Sequence, residues 1–439
     1  MSPRTAVIDL DLLPAEPPPS DLPPVSRRRL WAAAVLVLAV LALAGGAPPR
    51  SDRAALVLTR PAVADATYEI IGDTFYAVEP SRDSSRITAY PLAGGSPRWS
   101  VTLDLLAGAV SLSALGDILV VASISGDPLE TTHVTALDGR TGAVRWDNTL
   151  WPDRVDAARG VVLLDNPVRT DRIDAMPDGT VVAVAADTGQ QRWAYRWNTG
   201  CQIDMAQPTP EDAGALAVLC GDGTLTAVDL ATGRVRASVG GAFQLPAGYL
   251  DFGVSIVSLP GSILVSYPVT NGWNFVSFDP RDLTRRWTMT LPLDRNTVVS
   301  CHPRLCLSAS SGTSVIDPTT GRVAWQLLPG VGISELTDRH LLAEDPSGRM
   351  SVLNADTGRE ALAVSGWTRV VTEDPPLLLR QDSAKGRTWV AGIDADPVGL
   401  RLVGWIPATV VGTDCTSTAG YLVCRTFNQV RVWRLPLPR

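Results

Sequence analysis

Apolar positions in this chain fall in short runs separated by polar turns, and one such unit organises the remainder. Residues 134–146 (VTALDGRTGAVRW) read as a strand, a tight polar turn and a second strand ending on an aromatic residue. The apolar residues before the turn alternate or run together, as in a strand buried between sheets. Close variants recur at 181–193 (VVAVAADTGQQRW), 225–235 (LTAVDLATGRV), 314–325 (SVIDPTTGRVAW) and 351–359 (SVLNADTGR). A looser copy at 276–287 keeps Asp279 and Trp287 but has Asp282-Leu283 where the others have Thr-Gly, and a degenerate early copy ends at Trp99.

Each part of the unit has a physical task. Asp and Thr side chains hydrogen-bond the turn backbone, and Gly supplies a positive φ without steric cost. The closing Trp is large enough to fill the gap between neighbouring sheets. Trp99, Trp146 and Trp193 are spaced by forty-seven residues, and Trp287 and Trp325 by thirty-eight. Such a period predicts a propeller or solenoid, because one unit cannot bury its own apolar face.

Ala136, Asp138, Thr141, Gly142 and Trp146 resemble the tryptophan-docking repeat of the PQQ-type β-propellers. Trp193, Asp229, Gly233, Trp287, Asp317, Gly321 and Trp325 continue the motif. That superfamily includes quinoprotein dehydrogenases and the lipoprotein propellers of outer-membrane assembly. The resemblance covers roughly residues 65–436 and implies an all-β propeller, while one fold hosts many activities.

Repeat units lie near 67–103, 111–150, 157–197, 205–239, 254–291, 298–328, 333–366 and 370–407, with a last unit at 409–436 that has room for three strands. Residues 54–60 (AALVLTR) are expected to supply its missing outer strand and close the ring, since an open propeller leaves strand edges unpaired. Nine blades exceed the usual four to eight. The expectation is therefore eight blades, with seven as the alternative, one weak terminal unit being absorbed by its neighbour.

Residues 1–29 carry six prolines between Pro14 and Pro24 together with Asp9, Asp11, Glu16 and Asp21, which predicts a disordered tail. Arg27–Arg29 then precede eighteen uncharged residues, 30–47, just enough for a helix to span a bilayer. The arginines place the tail in the cytoplasm and the remainder outside it. A cleaved signal peptide ending near Ala42-Leu43-Ala44, leaving a secreted protein, is the alternative. The expected organisation is thus a cytoplasmic tail at 1–29, a transmembrane helix at 30–47, a linker with the ring-closing strand at 48–64, and a propeller at 65–439.

The six cysteines all fall in the exported part, and an even number there implies disulfides. Sequential pairs bracket the first two strands of a repeat, which predicts Cys201–Cys220, Cys301–Cys306 and Cys415–Cys424. The net charge of −7 carries no nucleic-acid signal, which would need a clustered basic surface. The three histidines lack metal-ligand spacing, and GxSxG and HExxH motifs are absent. The adjacent cysteines typical of the family's quinone-dependent enzymes are also missing. Segments 124–132, 166–178, 202–213 and 268–274 are longer than simple hairpin turns, and insertions in repeat proteins gather on a binding face. The expected protein is a membrane-anchored, non-catalytic propeller without cofactor or metal, binding another envelope protein or peptide. A ligand-binding sensor and a quinone-dependent enzyme are the alternatives.

Overall fold

The first eight repeat units each fold as an antiparallel four-stranded sheet, the strands following one another in chain order, and the last unit completes such a sheet with a strand from the N-terminal side. The computed structural model describes residues 53–436 apart from 64, 82–83, 105–107, 126–131, 157, 166–178, 199, 204–213, 242–253, 260, 293–296, 302–303, 310, 368, 372–376, 408–414, 419 and 427. Among the described residues there are nine such sheets, here called blades. They are blade 1 (67–103), blade 2 (108–148), blade 3 (151–197), blade 4 (201–239), blade 5 (255–291), blade 6 (297–327), blade 7 (332–363), blade 8 (369–407) and blade 9 (415–434 with 55–61).

Nine blades correct the expectation of eight, or of seven. No unit is absorbed by a neighbour. The last unit contributes three strands, Cys415–Thr418, Tyr421–Arg425 and Gln429–Arg434, and Ala55–Pro61 pairs antiparallel with Gln429–Arg434 as the fourth. The two ends of the propeller are thereby joined in one sheet.

Burial follows from stacking. The second strand of a blade is covered on both faces, so Val161–Asp165 is buried throughout and His340–Glu344 nearly so. The fourth strand alternates, as in Arg285–Leu291, where Trp287 and Leu291 are buried between exposed neighbours. The apolar clusters straddle consecutive blades. Tyr76, Ile87 and Trp99 of blade 1 meet Leu112, Leu119 and Leu137 of blade 2. At the closing seam Val423, Val430 and Val432 of blade 9 meet Ile70, Phe75 and Ala77 of blade 1, with Leu58 of the N-terminal strand.

Three disulfides join Cys201 to Cys220, Cys301 to Cys306 and Cys415 to Cys424. Each crosses between the first and second strands of its blade (4, 6 and 9), as the repeat phase predicts. No helix among the described residues is long and apolar enough to cross a membrane. The tail expected at 1–29, the span at 30–47 and the first linker residues lie outside the described residues.

Candidate functional site

The repeat motif builds the turn between third and fourth strands, and its polar atoms are used there. In blade 2, Asp138 Oδ1 accepts from the backbone N–H groups of Arg140 (3.0 Å) and Thr141 (3.0 Å) and from the Thr141 hydroxyl (3.1 Å), while Oδ2 pairs with Arg145. The Arg145 guanidinium is the main reason the Asp138 carboxyl is held down to about 2. Asp229 repeats the pattern with Thr232 and Arg236; burial pushes its carboxyl up, and these hydrogen bonds more than reverse that. Asp279 accepts from Arg281 N–H and pairs with Arg286 at 2.7 Å, and Asp317 accepts from Thr319 and Thr320 and pairs with Arg304 at 3.2 Å.

Each motif tryptophan lies on the turn of the following blade. Trp99, Trp146, Trp193, Trp287 and Trp325 donate Nε1–H to the carbonyls of Gly139, Ala186, Leu230, Pro318 and Ala355 at 2.7–3.1 Å. Their rings cover Gly142, Gly189, Gly233, Gly321 and Gly358, all at positive φ, where an added Cβ would come within 2.5–2.6 Å of a ring carbon. Ala136 is fully buried beside Trp146 in the same seam. The motif residues are therefore spread around the ring, one set at each of these five seams, and do not converge on one site. Among the described residues no three His, Cys, Asp or Glu side chains cluster so as to hold a metal.

Three tryptophans outside the motif phase are also packed. Trp433 and Trp197 are buried in the seams after blades 8 and 3, and the Trp405 ring carries the guanidinium groups of Arg53 and Arg387 at 5.1 and 4.4 Å from its centroid. Of the four segments expected to form a binding face, all of 166–178, residues 126–131 of segment 124–132 and residues 204–213 of segment 202–213 lie outside the described residues. Segment 268–274 is a correction: Val269 pairs directly with Gly272, which makes it a tight hairpin.

One concavity was not foreseen. A cavity of about 400 Å³ opens at the seam between blades 1 and 2, lined by Asp73, Thr74, Tyr76, Arg98, Asp117 and Arg140 over an apolar floor that includes Ile71, Ala114 and Leu119. On one wall Arg98 grips Asp73 through both nitrogens (3.1 and 2.7 Å) and also donates to Thr74 Oγ1 at 2.7 Å. Hydrogen bonding from Arg98 is the main cause of the lowered Asp73 carboxyl, and burial raises the Tyr76 phenol. On the other wall the ion pair is single and open, Arg140 Nη2 to Asp117 Oδ2 at 2.5 Å, with both side chains well exposed. The residues come from four turns in two blades, so no local sequence window contains them.

No curated protein matches the chain in sequence. Among solved structures, BamB from Moraxella catarrhalis is 17% identical, covering 88% of this chain and 98% of its own, with a TM-score of 0.38. Sqt1 from Saccharomyces cerevisiae is 13% identical over 81% of this chain and 100% of its own, TM-score 0.45. Quinohemoprotein alcohol dehydrogenase from Comamonas testosteroni is 13% identical over 86% of this chain and 76% of its own, TM-score 0.41. Similarity at that level says nothing of function. Residues 56–244 match the family model described as outer membrane protein assembly factor BamB, so over that stretch the chain carries BamB-like repeats of the PQQ-type β-propeller family.

Proposed function

We propose that this protein is a membrane-anchored, extracytoplasmic propeller that serves as a non-catalytic scaffold for another envelope protein. One observation carries the reading: the recurring polar and aromatic residues are spent on the ring itself. The motif carboxylates cap their own turns and the motif tryptophans dock on the next blade. What the ring offers a partner is its rims, held rigid by seams that bury apolar side chains on both sides. A passive role follows, in which preorganised turns and loops meet a partner without ordering cost.

Two further observations support the setting. Three disulfides suit an oxidising compartment outside the cytoplasm. The uncharged stretch 30–47 behind Arg27–Arg29 has the length and flanking charge of an anchor. The BamB-like match over 56–244 is in keeping with a protein-binding role.

The test is cross-linking in intact cells, extraction of the membrane fraction and mass spectrometry of what co-purifies, beside a deletion of 166–178. Envelope proteins recovered reproducibly with the intact chain and lost with the deletion are the expected result. Recovery of no partner, together with a quinone, metal or small molecule retained by the purified chain, would overturn the scaffold reading.

A further inference from the structure

The seam between blades 1 and 2 departs from the others at two positions that face each other. The first is the residue that follows the first turn position, held by Asp138 in blade 2 and by Ala185, Asp229, Asp317 and Asn354 in the turns that receive the other motif tryptophans. It is Ala186, Leu230, Pro318 or Ala355 in the other tryptophan-docked turns, and the Ala186, Leu230 and Ala355 side chains are buried in their seams. In blade 2 it is Gly139. No backbone strain calls for glycine there, because Gly139 is absent from the positive-φ set; a Cβ would instead meet the Asp117 carbonyl oxygen at 3.0 Å and the Tyr76 hydroxyl at 3.8 Å. The second position is the second-strand residue two pairings inward from the docked tryptophan. Pairing places Tyr76 opposite Ala89, which is opposite Trp99. The same steps lead to Val120, Leu163, Leu264 and Cys306 in blades 2, 3, 5 and 6. A side chain is removed and a hydroxyl added at one seam, and the cavity lies between them.

The lining indicates what enters. Arg98 is neutralised by its two-point pairing with Asp73 and also donates to Thr74, so it has little charge to offer a ligand. Asp117 is held by one nitrogen of Arg140, itself 76% exposed and free to swing outward into water. Displacing Arg140 leaves a carboxylate and the Tyr76 oxygen as acceptors above an aliphatic floor. That combination fits a long aliphatic stem ending in a cation, the stem along Ile71, Ala114 and Leu119 and the head on Asp117. The net charge of −7 favours approach of a cationic group. We propose that this cavity receives an arginine or lysine side chain of the partner polypeptide. The proposal rests on the scaffold reading and names its recognition site.

The probe is N-acetyl-arginine methylamide, followed by saturation-transfer NMR on the full-length protein, with N-acetyl-glutamate methylamide as the anionic counterpart. Saturation of the arginine side-chain protons is expected, reduced about fivefold or more by Asp117→Asn, as expected when a charge-assisted hydrogen bond is lost. Gly139→Leu, which installs the side chain that blade 4 carries as Leu230, is expected to reduce it as far. Asp117 is exposed, so Asp117→Asn decides the matter even if Gly139→Leu fails to fold. Transfer unchanged by Asp117→Asn, or transfer to the glutamate probe equal to that for arginine, would overturn the assignment. Co-purification of an envelope partner with the Asp117→Asn variant at wild-type yield would also overturn it, yet leave the scaffold reading standing; loss of every partner from the wild-type chain would remove that reading instead.

Discussion

A tryptophan can lie flat on a neighbouring turn only where the turn residue beneath it has no side chain. Gly233 under Trp193 shows the fit, with an added Cβ 2.6 Å from the ring. The seam between blades 4 and 5 solves the same problem in reverse. Ala237 stands in the tryptophan position, and Leu283 in the glycine position, at φ 57° with its N–H on the Asp279 carbonyl at 2.9 Å, as Gly233 N–H is on Asp229. Leu283 is 3% exposed, within the apolar cluster against which Ala237 packs. The leucine fills from below the space that a ring fills from above, at the cost of an unfavourable backbone angle. Leu283→Gly alone is expected to empty that space and cost roughly 2–4 kcal/mol, the range for deleting a large buried aliphatic side chain less the relieved strain. Ala237→Trp alone is expected to overpack. The double variant is expected to be more stable than the sum of the two effects by about 1–3 kcal/mol, read as a double-mutant cycle of urea midpoints. Simple additivity would show that the two positions do not share one space.

In blades 4, 6 and 9 a disulfide ties the first strand to the second. In blade 4 the first strand, Cys201–Ile203, has three residues and pairs through three positions, the outermost being Cys201 with Cys220. So short a strand gains little from its ladder, and the disulfide holds it to the second strand. Replacing Cys201 and Cys220 together by alanine is expected to cost about 3 kcal/mol by the loop-closure argument. Hydrogen exchange should then show Cys201–Ile203 losing protection while the outer strands of blade 4 keep theirs; unchanged protection would show that the ladder suffices. The elements themselves were legible in the sequence. The units near 67–103, 254–291 and 370–407 fall within a residue of their strands, because short apolar runs separated by polar turns mark them even where the Thr-Gly motif is absent. The cysteine pairs were legible for the same reason, as each brackets one hairpin. The seam cavity was not, because it joins Asp73 and Arg98 to Asp117 and Arg140 across two blades, and its one local trace is a glycine among many. Segment 268–274 misled because strand pairing continues through Pro268 and Trp273, so that only Thr270 and Asn271 are left for the turn.

At the scale of the molecule, the question is how nine blades hold a closed ring. The nine units were countable in the sequence, and the usual range of four to eight argued against accepting the count. What decides is the last sheet. Its fourth strand comes from the other end of the chain, with pairing from Ala55–Arg434 to Pro61–Gln429, so that opening the ring would break both a sheet and a seam. Two leucines of that strand separate closure from mere presence. Leu58 is 5% exposed in the cluster joining blades 9 and 1, whereas Leu56 is 54% exposed. Leu58→Asp would bury a carboxylate without a partner in the closing seam, and a loss of more than about 3 kcal/mol is expected. Leu56→Asp is expected to change stability by no more than about 0.5 kcal/mol, as for a surface substitution. A strand released by Leu58→Asp exposes the Gln429–Arg434 edge, and free edges pair with other chains. Light scattering after size exclusion should therefore show the Leu58→Asp protein associating while the Leu56→Asp protein stays at the wild-type mass. Equal behaviour of the two variants would mean that the N-terminal strand decorates the last blade without closing the ring.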